Sequence, residues 1–132
     1  MNYYSTFILI SDDSPVQASK IPVSNREKRT ISEIEYALLH ENPGYYTQDE
    51  LQFEVHMIHK GIPKENRHGE KILFLEKSRA CMRASSLPKR FGWGIYFDTY
   101  GNAEMIPVET EKYQELKQQD QIKKVKAMKS KK

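Results

Sequence analysis

The chain predicts an α+β domain, with an antiparallel sheet of four or five strands and two or three helices packed on one face. Three observations lead there. Apolar, β-branched and aromatic runs with strand character stand near the start, at Tyr3–Ile10, and again at Gly92–Phe97 and Ala103–Val108. Between them, two hydroxyl-x-x-carboxylate sequences open stretches with helical spacing. The composition, 38% hydrophobic and 11% aromatic over 132 residues, fills one core and leaves no material for a second.

In order, Tyr3–Ile10 (YYSTFILI) reads as a strand that stops at the turn formers Ser11-Asp12-Asp13-Ser14-Pro15. Residues 16–29 lack a period and contain Pro22, so they read as a loop. Thr30-Ile31-Ser32-Glu33 is a capping box, and Ile31, Ile34, Leu38 and Leu39 behind it share a helical face that Asn42-Pro43-Gly44 terminates. Thr47-Gln48-Asp49-Glu50 repeats that logic before Leu51–Lys60. There the alternation of Leu51, Phe53, Val55 and Met57 suits a strand, whereas the acidic start, Lys60 and Gly61 suit a helix; the end signals favour the helix.

Lys71–Glu76 (KILFLE) has the length of a buried strand, and Ala80–Ala84 is read as a second one. Ser85–Arg90 is a connection. Trp93, Ile95 and Phe97 alternate on one strand face, and with Ala103–Val108 they form a hairpin through Asp98–Asn102. Thr110 caps a last helix with Tyr113 and Leu116 facing inward. The division is therefore a single domain over residues 1–122 and a lysine-rich tail over residues 123–132, expected as a frayed helix or a disordered end.

Charge is unevenly placed. The net charge is +3, yet Lys77–Asp98 carries five basic residues and no acid before Asp98, and the last ten residues carry six lysines. The rest is net acidic. A single Cys excludes an internal disulfide and fits a reducing, cytoplasmic location; no apolar run reaches the length of a membrane span, so no membrane partner is expected.

The basic stretch gives the leading functional expectation. Arg79, Arg83, Lys89 and Arg90, with Tyr96 as an aromatic beside Gly94, form a candidate binding face for an anionic ligand, nucleic acid included, because planar guanidinium groups and close glycine backbone suit phosphate and carboxylate. The leading reading is a small non-enzymatic binding protein. A second is an enzyme acting on a small phosphorylated or carboxylated substrate, with Cys81 or His56 reactive and the arginines as clamp. A third is a protein–protein adaptor whose charges are incidental. No cofactor is expected and no metal site: His56 and His59, with His68 and His40 as candidate further ligands, match neither H-E-x-x-H nor a paired-Cys motif.

The run Arg83-Ala84-Ser85-Ser86-Leu87-Pro88-Lys89-Arg90-Phe91-Gly92-Trp93-Gly94, followed by Asp98 and Gly101, resembles the signature of an uncharacterised family of short bacterial and fungal proteins of about this length. The resemblance covers nearly the whole chain and implies no activity.

Overall fold

The computed structural model describes residues 2–130. Nine elements follow in order: β1 (Thr6–Leu9), α1 (Ile31–Glu41), α2 (Gln48–Lys60), α3 (Arg67–Glu76), α4 (Ser86–Arg90), β2 (Trp93–Phe97), β3 (Ala103–Pro107), α5 (Glu111–Gln118) and β4 (Lys123–Lys126), with single 3-10 turns at Lys64–Asn66 and Met82–Ala84. The α+β class stands. The sheet is mixed, however, and the described residues form five α-helices rather than two or three.

The strand order is β3-β2-β1-β4. β2 and β3 form the expected hairpin, and β1 pairs antiparallel with β2, Ile8 opposite Ile95. β4 lies parallel to β1, with Thr6 opposite Lys123 and Ile8 opposite Val125. The lysine-rich end, expected as a frayed helix or a disordered tail, thus enters the sheet. Two lysines of that end, Lys131 and Lys132, lie outside the described residues. Among the described residues no helix is long and apolar enough to cross a membrane.

Three further expectations are overturned. Lys71–Glu76 is not a strand but the C-terminal part of α3, which buries none of its residues and leaves Ile72, Leu73 and Leu75 about half exposed. Four consecutive apolar residues have no period that separates strand from helix, and no neighbouring strand offers them an edge. Ala80–Ala84 is an irregular segment ending in a 3-10 turn, because its backbone is held by side chains of α2 rather than by a strand. Ser85–Arg90, expected as a connection, winds into the short α4, with the Ser85 hydroxyl accepting from the Leu87 amide at 3.1 Å and Pro88 in the first turn, where a missing N–H costs nothing.

The capping boxes form in both halves. Thr30 accepts from the Glu33 amide while the Glu33 carboxylate takes the Thr30 amide, and Thr47 with Glu50 does the same. In α2 the strand-like alternation has a helical cause. Leu51 and Val55 join the sheet core, whereas Phe53 meets Phe74 of α3 with ring centroids 5.6 Å apart, so the helix is buried on two sides.

Both faces of the sheet are covered, not one. Ile8, Ile95 and Phe97 pack under α1 and α2 with Leu39, Leu51 and Leu87, and Trp93 closes the margin of this layer with its indole N–H on the Lys20 carbonyl at 2.8 Å. Phe7, Leu9 and Ile106 face the other way, against Tyr113 and Leu116 of α5 and Ile122. That second layer is thin, and Gly94 is what permits it. A Cβ there would lie 2.8 Å from ring carbons of both Phe7 and Tyr113. Gly94→Ala is expected to lower stability by about 1–3 kcal/mol through overpacking, read as a lower midpoint in urea; an unchanged midpoint would mean that the rings shift freely.

Candidate functional site

Between α1, α2 and the segment 79–86 lies a cleft of about 500 Å³. Its apolar wall is made by Ile31, Val55, Phe74 and Met82, and its polar groups include Glu35, His56, Arg79, Cys81 and Ser85. The capped start of α1 sets Ile31 at the mouth and Glu35 one turn deeper, while α2 supplies the opposite side.

The wall formed by residues 79–82 is stitched to α2. Gln48 accepts from the Met82 amide at 2.7 Å, Gln52 donates to the Ala80 carbonyl at 2.8 Å, and the Arg79 guanidinium bonds Gln52 Oε1 at 3.0 Å and the Asp49 carboxylate. Arg79 also lies over the Phe74 ring, 4.6 Å from its centroid. One turn of α2 therefore holds an otherwise irregular strand of chain, and the buried amide of Met82 is satisfied only by a side chain.

Glu35 is the chemically distinctive residue. It is 6% exposed, and its Oε1 accepts from the Ser85 hydroxyl at 2.8 Å. Burial pushes its carboxyl up to about 7, against a smaller lowering by that hydrogen bond. Cys81, half-buried, accepts from the Tyr3 hydroxyl at 3.2 Å, and burial together with this contact pushes the Tyr3 phenol up to about 12. His56 faces Glu70 at 2.9 Å.

The sequence-predicted residues disperse. Arg79 lines the cleft but is engaged by Asp49. Arg83 points to the C-terminal strand, its Nε donating to the Lys126 carbonyl at 2.6 Å. Lys89 and Arg90 stand at the last turn of α4, and their side chains make no hydrogen bond or ion pair to another described residue. Tyr96 lies on the α5 face of the sheet, opposite the cleft. The glycines near them serve packing: a Cβ at Gly92, where φ is +78°, would meet the Ala18 carbonyl oxygen at 2.9 Å. Cys81 and His56, named for the enzyme reading, do line one cleft. Glu35 went unnoticed in the sequence, although a signal was there: it sits four residues from Ile31 and four from Leu39, inside the apolar stripe of α1.

No curated protein and no solved structure matches the chain. A family model matches residues 1–132 in full. The chain belongs to the family of unknown function DUF6157.

Proposed function

We propose that this is a small-molecule-binding domain of the cytoplasm whose site is the cleft between α1, α2 and residues 79–86. The observation that carries the reading is Glu35: a carboxyl buried to 6% exposure at the wall of an apolar cleft of about 500 Å³, with one oxygen fixed by Ser85. A concave apolar site with a few convergent polar groups and a displaced carboxyl pKa is the usual form of a ligand site. A fragment screen by NMR tests it. Hits should perturb the methyl signals of Val55 and Met82, and Ala80→Trp, which fills the mouth from an exposed position, should remove those perturbations. A screen in which Val55 and Met82 never respond, or respond equally in the Ala80→Trp protein, would sink the proposal.

A second reading, contact with an anionic polymer such as single-stranded nucleic acid, is supported by Lys89 and Arg90, two adjacent cations without partners among the described residues. Lys89→Ala with Arg90→Ala should then weaken oligonucleotide binding and its salt dependence; wild-type protein that binds no oligonucleotide at low salt removes this reading.

A further inference from the structure

We infer that the cleft is built to take the cationic end of a small amine or amidine, whose N–H groups meet Oε2 of Glu35 while its apolar body lies against Ile31, Val55 and Met82. This rests on the cleft being the ligand site.

The orientation of the carboxyl follows from a short relay. The Leu87 amide donates to Ser85 Oγ at 3.1 Å, which commits that oxygen as an acceptor, and the Ser85 hydroxyl proton is directed to Glu35 Oε1 at 2.8 Å. Oε1 is therefore locked as an acceptor. Oε2 makes no hydrogen bond to another described residue; since no fully buried side-chain oxygen among them is left without a partner, Oε2 keeps solvent access, and Glu35 lines the cleft. Any proton that Glu35 carries sits on Oε2, and any group that displaces it does so from the cleft.

The other charges around Glu35 do not compete for that place. From α2, His56 is paired with Glu70, and His59 is held below the usual imidazole range by desolvation and by Lys28, Lys60 and His56, so it is neutral at neutral pH. Lys60 stands exposed at the end of the helix. From the facing segment, Arg79 is neutralised by Asp49, and Cys81 takes the Tyr3 hydroxyl. Gln52 is turned to the Ala80 carbonyl and to Arg79, and α3 contributes only the Phe74 ring to this wall. Serine hydroxyls, from Ser32 and Ser86, complete the polar lining. The unneutralised charge at depth is thus the Glu35 carboxylate.

A carboxylate desolvated without a counter-charge is unfavourable, and for that reason burial raises its pKa. An ammonium or amidinium at Oε2 supplies the missing charge and several N–H donors in a low-dielectric site. Binding therefore favours the ionised carboxyl and expels its proton below neutral pH. An anionic isostere meets the opposite situation, since it forces Glu35 to stay protonated.

The test uses four probes of similar shape, benzylamine, benzamidine, benzyl alcohol and benzoate, titrated by NMR into the full chain labelled at methionine methyls and glutamate carboxyl carbons. Benzylamine and benzamidine should perturb Met82 and bind at least tenfold more tightly than benzoate at pH 8. They should also move the titration midpoint of the Glu35 carboxyl downward by one unit or more. Glu35→Gln should abolish the preference for the two amines over benzyl alcohol. The wild-type titration stands on its own if the variant folds poorly. Benzoate or benzyl alcohol binding at Met82 as tightly as benzylamine would overturn the amine assignment and leave the cleft a ligand site. Silence of Met82 towards all four probes would overturn the assignment and count against the cleft itself.

Discussion

Glu35→Gln should raise the unfolding free energy at pH 8 by about 3 kcal/mol. The size follows from a carboxyl displaced from an ordinary 4.5 to about 7, at about 1.4 kcal/mol per unit. Because the folded-state pKa is the higher one, the native state holds a proton that the unfolded chain has already released between pH 4.5 and 7. Stability from this group is complete below pH 4.5 and is lost as pH rises through 7. Glutamine keeps an acceptor for the Ser85 hydroxyl but has no charge to desolvate. Urea unfolding of both proteins from pH 4 to pH 8 measures the difference directly, because carboxylates elsewhere, such as Glu33 and Glu109 with their lowered pKa values, act alike in the two. The curves should coincide near pH 4 and separate above it. Parallel curves over the whole range would mean that Glu35 titrates alike in the folded and unfolded states, and the chemistry assigned to the cleft would lose its basis.

Removal of residues 123–132 is the other large effect. It should cost on the order of 3–5 kcal/mol, from about 1 kcal/mol for each lost ladder hydrogen bond and the burial of Val125 and Ala127. Ala127 is 4% exposed, Val125 packs on the larger core layer, and the Ala127 amide donates to the Leu9 carbonyl at 2.9 Å. Truncation also strands the Arg83 guanidinium, which bonds the Lys126 carbonyl. Against a typical domain stability of about 5–15 kcal/mol, the shortened protein should melt much earlier or lose cooperative unfolding. A truncated chain with an unshifted melting curve would show β4 to be energetically idle. Replacing Lys123, Lys124 and Lys126 by Thr, which keeps the backbone ladder, should be far milder.

The contrast between β4 and the capped helices explains what the sequence made legible. A capping box is local chemistry: Thr30 and Glu33, or Thr47 and Glu50, specify a helix start within four residues, and both formed as read. The hairpin strands were likewise legible, since Trp93, Ile95 and Phe97 repeat with the period of the sheet. Lys123–Lys126 has no such signature. Its strand state comes from an edge of β1 more than a hundred residues away, and three lysines conceal it. KILFLE failed for the converse reason, because a strongly apolar run carried no period and the fold left it outside the core. In the cleft, Cys81, His56 and Arg79 could be singled out by residue type, but their meeting could not. The dispersal of Arg79, Arg83 and Tyr96 likewise depends on where each side chain is tied, which charge counting along the chain does not contain.

The place of β1 in the sheet also bears on how the chain acquires its shape. Its two neighbours, β2 and β4, come from residues 93–97 and 123–126, so the earliest of these four strands gains its second neighbour last. Until the segment containing Val125 has left the ribosome, Phe7, Ile8 and Leu9 lack one partner edge, while α1 and α2, with their local caps, are free to form. Contacts of such sequence separation are slow to close. A nascent chain halted before residue 120 would therefore display an apolar strand with one edge open, and chaperones that recognise such segments would meet β1 there.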